Sequence, residues 1–158
     1  MEKETRQEKF RRIAETRMSR IFSDLNLMAN LSNKKHYEYS SQDVKEIFDA
    51  LYNKGRDVRT YFEDYSSSRQ PLSKSFSFSN KEGKIQEKET KEEKFRRIAE
   101  TRISRIFVDM NLIANLSNKK HYKYSIQEVD ELFTAYENKI REIQFYFEPL
   151  TQNFTFSN

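Results

Sequence analysis

From Phe10 onward, apolar residues return at steps of three and four: Phe10, Ala14, Met18, Ile21, Leu25 and Met28. That spacing puts them on one face of a helix of about 25 residues. A second stripe, Val44, Ile47, Phe48, Leu51, Val58 and Phe62, predicts another helix of about 22 residues. Thr5 and Glu8 before the first stripe, and Ser40 and Asp43 before the second, have the spacing of capping boxes that satisfy free helix-start amides. Tyr39, just outside the second cap, is placed to pack on Val44 as a hydrophobic staple. Between the helices, "LSNKKHYEY" is short enough to predict an antiparallel hairpin. Beyond them, "FSFS" alternates with period two, as an extended segment does.

The whole pattern then recurs. Shifting the chain by 85 lays residues 2–63 over 87–148, with 43 of 62 positions identical. Phe95, Ala99, Ile103, Ile106, Met110 and Ile113 repeat the first stripe, and Thr90/Glu93 and Ser125/Glu128 repeat the caps, with Tyr124 beside Val129. The tails are related too, "PLSKSFSFSN" and "PLTQNFTFSN", the first preceded by seven extra residues. The organisation read from this is repeat 1 with its tail over 1–80, a linker over 81–86, and repeat 2 with its tail over 87–158. One hairpin cannot bury its own apolar face, so two in one chain predict an all-α protein, tandem hairpins packed as a pseudo-twofold four-helix bundle. Ile13, Leu27 and Leu31 lie off the main stripe and call for a second neighbour. The paired phenylalanines of each tail read first as plugs for a groove on the bundle, and second as an arm for a partner's sheet edge.

The two copies are most alike in the first helix and the loop after it. Identity is 29 of 35 over residues 8–42 but 10 of 21 over 43–63, so the second helix has drifted while the first has not. Core positions of helix 1 exchange conservatively, whereas the polar Lys9, Arg11, Arg12, Glu15, Arg17, Ser19, Arg20, Asp24, Asn26 and Asn30 all recur. Residues 9–31 hold five basic and two acidic side chains, as do 94–116, while the second helices carry net −2 and −4. A net charge of +4 therefore conceals a basic side and an acidic side.

These fixed polar residues are the candidate site. Arg11, Arg12, Arg17 and Arg20, with Arg96, Arg97, Arg102 and Arg105, have the planar fork that suits phosphate oxygens. In the loops, Asn33, Lys34, Lys35, His36 and Tyr37, with Asn118, Lys119, Lys120, His121 and Tyr122, pair cations with an aromatic ring able to stack on a base. The plainer readings are a solvated face with intrahelical pairs to Glu8, Glu15 and Asp24, and a structural loop with Asn33 or Asn118 in a left-handed turn. The leading expectation is non-catalytic nucleic-acid binding, DNA or RNA, through helix 1 and its loop. The alternative is a protein-binding module, such as a phage- or plasmid-encoded inhibitor or adaptor of the anti-defence type, with the same arginines and tyrosines as anchors. A third reading retains the surface because the two halves pack through it, which requires Arg11, Arg20 and Asn30 to be buried.

Enzyme chemistry finds little support. There is no cysteine, and only two glycines, so thiolate chemistry and a glycine-rich phosphate loop are excluded. Each histidine stands without a shared carboxylate, since Glu38 becomes Lys123, which argues against a metal site. No cofactor, metal or small-molecule substrate is expected. No apolar run approaches a membrane span and the N-terminus is charged from its second residue, so a cytoplasmic location is expected.

The stretch "NLSNKKHYEYSSQDVKEIF" resembles small helical-hairpin proteins of bacteria that carry Asn-Leu-Ser-Asn, Tyr-x-Tyr and Asp-Val-x-x-Ile-Phe after an arginine-rich helix. The match runs through Asn30, Leu31, Ser32, Asn33, Tyr37, Tyr39, Asp43, Val44, Ile47 and Phe48, and the second copy departs at Glu128 and Leu132. It implies a bacterial or mobile-element source and no activity. In plan alone the chain is similar to the plasmid RNA-binding Rop proteins, whose two hairpins form a bundle.

Overall fold

The computed structural model describes residues 3–63, 69–79, 88–149 and 154–157. Within them lie four α-helices, α1 (Arg6–Ala29), α2 (Ser41–Arg59), α3 (Lys91–Ala114) and α4 (Ile126–Gln144), and no strand. Each helix ends in a single 3-10 turn: Asn30–Ser32, Thr60–Phe62, Asn115–Ser117 and Phe145–Phe147.

All four helix starts follow from the sequence. Thr5, Ser40, Thr90 and Ser125 each accept from the backbone amide three residues on, and the acid at that position reaches back to the cap amide. The stripes turn inward as the periodicity requires, with Val44 and Phe62 half-buried and the other members buried. Ile21, Leu25, Met28 and Leu31 of α1 and its 3-10 turn, with Ile106, Met110 and Ile113 of α3, are fully inaccessible. Of the three positions off the stripe, Leu31 is buried and Ile13 half-buried, but Leu27 stays 39% exposed.

The pairing of helices departs from the hairpin expectation. α1 packs on α3 and α4, and α2 packs on the same two, while α1 and α2 scarcely meet, nor do α3 and α4. The helices of one repeat stand diagonally across from each other, and every neighbour comes from the other repeat. A short loop does not force adjacency. Residues 33–40, extended, reach up to about 26 Å, whereas the diagonal of a four-helix square with helices ~10 Å apart is only about 14 Å. α1 and α3 run antiparallel, since Arg17 meets Leu112 while Arg102 meets Leu27. α2 and α4 do likewise, since Tyr136 reaches Leu51 while Arg59 meets Asp130.

Each loop consequently docks on the other half. The Glu38 amide donates to the Lys91 carbonyl at 3.5 Å, and Lys123 to Arg6 at 3.4 Å. Tyr39, expected to staple its own helix, reaches the other half: its ring lies 5.0 Å from Phe95 and 5.4 Å from Phe147, and its hydroxyl donates to the Ser32 carbonyl at 3.0 Å. Tyr124 packs on Phe10 and Phe62 in the same way, donating to Ser117.

A candidate nucleic-acid interface

The antiparallel α1–α3 pair builds one long face of the molecule. Arg17 and Arg20 of α1 and Arg102 and Arg105 of α3 meet along its seam. Arg17 donates to the Leu112 carbonyl at 2.6 Å, and Arg102 to that of Leu27 at 2.6 Å. Both acceptors lie in the last turn of a helix that has no basic residue of its own there. Each arginine therefore supplies the cation that the negative end of the opposite helix favours. Arg20 faces Asp109 at 3.8 Å and Arg105 faces Asp24 at 3.7 Å, with the carboxylates buried and the guanidinium groups more than half exposed. One oxygen of each acid, Oδ2, is buried without a hydrogen-bond donor among the described residues. Burial pushes the Asp109 carboxyl up, against the downward pull of Arg20, and neighbouring Asp24 adds to the rise. Four guanidinium groups thus stand over two carboxylates.

The other predicted arginines divide. Arg12 pairs with Glu4 at 2.8 Å and Arg97 with Glu89 at 2.7 Å, both on the outer surface beside the seam. Side-chain hydrogen bonds from those arginines hold Glu4 and Glu89 below the ordinary carboxylate range. Arg11 and Arg96 are not on this face. One residue step is 100° of helix rotation, and it turns Arg11 toward Glu128 at the start of α4 and Arg96 toward Asp43 at the start of α2. Arg96 is 24% exposed and its partner Asp43 1%, so this is a buried pair.

The loops lie at opposite ends of the same face. Asn33 is extended (φ −69°, ψ 104°), as is Asn118, which corrects the expectation of a left-handed turn. Each asparagine instead turns the loop with its side chain, Asn33 Oδ1 accepting from the Lys35 amide and Asn118 Oδ1 from Lys120, both at 3.0 Å. Lys34, Lys35, His36, Lys119, Lys120 and His121 are exposed. Tyr37 and Tyr122 are half-buried against the core, each with a lysine of the other half over its ring: Lys94 over Tyr37 and Lys9 over Tyr122, both 5.5 Å from the centroid. These tyrosines seat cations, and one ring face is already taken.

Arg11, Arg20 and Asn30 remain exposed, so burial between the halves does not account for the retained surface. The intrahelical pairs expected to Glu8, Glu15 and Asp24 are not what holds Arg17 and Arg20; both are tied to the other half. The role of Arg17 and Arg102 as caps on a distant helix left no local signal in the sequence, because the acceptors are backbone carbonyls. Among the described residues no cluster of metal-ligating side chains occurs, and no helix is long and apolar enough to cross a membrane.

No family model matches the chain, and neither a curated protein nor a solved structure shows significant similarity to it.

Proposed function

We propose that the chain is a duplicated four-helix bundle with pseudo-twofold symmetry, and that its α1–α3 face binds duplex nucleic acid without catalysis. The symmetry reading is supported by contacts that recur with the halves exchanged, as in Arg17–Leu112 and Arg102–Leu27, or Arg20–Asp109 and Arg105–Asp24.

The observation that carries the function is the placement of charge along this face. At its centre are Arg17, Arg20, Arg102 and Arg105 over only two acids, and at its ends are the loop lysines. The ends are separated by roughly the length of α1, 24 residues, which at 1.5 Å per residue is about 36 Å. One turn of B-form duplex is about 34–36 Å. A duplex lying along the face would meet Lys34, Lys35 and His36 at one end and Lys119, Lys120 and His121 one turn away. Arg12, Arg20, Arg97 and Arg105 would hold the backbone between them. The second helices, with their acidic surplus, lie on the far side and orient the approach.

The test is a titration of duplex DNA, single-stranded DNA and hairpin RNA at several salt concentrations. Each phosphate contact contributes about −0.9 to the log–log salt slope on a B-form duplex. Replacing Arg12, Lys35, Arg97 and Lys120 by Ala should flatten that slope by roughly 3–4, while Arg11→Ala, off the face, should leave it unchanged. Absence of binding to all three at low salt, or a slope the quadruple variant does not move, overturns the proposal. Tighter binding to single strands than to duplex would overturn the choice of ligand.

A further inference from the structure

The two Phe-x-Phe tails have different surroundings although their sequences match. The first lies in the groove between α2 and α3, extended and bonded through its backbone. The Phe76 amide donates to Ser104 Oγ at 2.9 Å, Phe78 to Glu100 Oε2 at 2.8 Å, and Ser79 to Glu46 Oε1 at 2.9 Å. Phe78 is 3% exposed, under the Arg96 guanidinium at 5.2 Å from its ring. Lys54 closes the groove floor over Phe107 at 4.8 Å and donates to the Ser73 carbonyl at 2.7 Å. The second tail leaves Phe154 78% and Phe156 87% exposed.

A counterpart of the groove exists between α1 and α4. It is an open cleft of about 380 Å³ whose walls include Phe10, Glu15, Ser19, Phe22 and Glu131. Position for position, 85 residues apart, Ser19 stands for Ser104, Glu15 for Glu100 and Glu131 for Glu46. Counterparts of all three side-chain acceptors that hold the backbone amides of the first tail are therefore present. Its floor matches as well: Lys139 lies over Phe22 at 5.6 Å, as Lys54 does over Phe107. With no tail to bond, Lys139 turns to Glu142 at 2.6 Å, and Arg11 stands 62% exposed where Arg96 is 24% exposed.

We propose that the α1–α4 cleft is a binding site for an extended Phe-x-Phe-Ser segment, and that residues 154–157 of this same chain are its occupant. Reach decides for this occupant. The first tail has seven more residues between helix and motif, 64–70. The described residues at either end of that stretch meet at Thr60, where the Glu63 amide donates to the Thr60 carbonyl at 3.3 Å and the Gln70 amide to Thr60 Oγ1 at 3.2 Å. Glu148 holds the position of Glu63, donating to Phe145. Because Glu63 and Gln70 bond to the same residue, a tail without the seven starts from the same place, and four residues separate proline from phenylalanine in both tails. Docking would bury two aromatic rings and supply three backbone donors to carboxylate and hydroxyl oxygens, each donor–acceptor pair being one the first tail already makes.

The chain has no cysteine, which permits a clean proximity test in the full-length protein. Glu131→Cys with Ser157→Cys is treated with a short bis-maleimide, beside the reference pair Glu46→Cys with Ser79→Cys. The expected result is an intrachain cross-link at a rate comparable to the reference. Adding Phe154→Ser and Phe156→Ser should slow it at least tenfold, which separates docking from chance collision of a tethered end. A reference pair that closes while the pair at positions 131 and 157 stays open, closure only between chains, or a rate indifferent to the phenylalanines would each overturn the proposal.

Discussion

Gly55 and Tyr136 offer a prediction whose sign is set by the crossing of α2 and α4. Tyr136 is wholly buried and its hydroxyl donates to the Leu51 carbonyl at 2.7 Å. A methyl group at position 55 would lie 2.8 Å from Cε2 and 3.0 Å from Cδ2 of that ring. The hydroxyl pins the ring at its far end, so the edge cannot swing clear without losing a buried hydrogen bond. Considered as an isolated helix position, Gly55→Ala should stabilise by about 1 kcal/mol through backbone entropy and propensity. Overpacking costs about 1–3 kcal/mol, and forfeiting the hydroxyl's partner costs about as much. The ring incurs one cost or the other, so after the gain the net expectation is a loss of up to about 2 kcal/mol. Tyr136→Leu should cost about 2 kcal/mol on the scale of core truncations, and the double variant should lose at least about 1 kcal/mol less than the sum, because the new methyl enters the vacated space. Equilibrium urea unfolding with an unchanged m-value reads all three. If Gly55→Ala proves stabilising, the close approach of ring and glycine is wrong.

Two further predictions concern charge. Burial beneath the first tail pushes Lys54 down to about 8 from its ordinary 10.5. The folded state thus resists the charged form, a penalty present below pH 8 and relieved as pH rises toward 10.5. Stability should climb by at most about 1.4 kcal/mol per pH unit between pH 8 and 10, and a thermal-unfolding series should show that Lys54→Met has lost the climb; parallel profiles would refute it. Arg11 and Arg96 occupy the same place in the two copies, yet Arg96→Ala should cost about 3 kcal/mol by stranding buried Asp43. Arg11→Ala, whose side chain is 62% exposed, should cost markedly less, because water screens the pair. Equal losses in chemical denaturation would contradict the asymmetry.

Much of the local structure was legible because its causes are local. A capping box is settled by residues three apart, and all four predicted boxes form. The buried stripe of α1 follows from a 3.6-residue period that no distant contact alters. The expectation that phenylalanines of a tail plug a groove holds for Phe76 and Phe78, whose acceptors lie on α2 and α3, and not for Phe154 and Phe156 as the second tail stands. Among the arginines, sequence placed all eight in one class. The structure separates Arg11 and Arg96, in the grooves, from the six that gather on or beside the α1–α3 seam.

By itself, then, the sequence determined which residues form helices, where each helix starts, and which side of it avoids water. Those are consequences of backbone geometry, side-chain period and short-range hydrogen bonding. Only the tertiary structure decided what each buried side meets. An apolar stripe is indifferent to its partner, so nothing in the period distinguishes a helix that folds back on its own repeat from one that packs wholly on the other. The choice lies in complementary shapes and charges far apart in the chain: the Tyr136 ring over Gly55, Arg96 on buried Asp43, and Arg17 on the last turn of α3. The same choice sets the two lysine loops at opposite ends of one basic face.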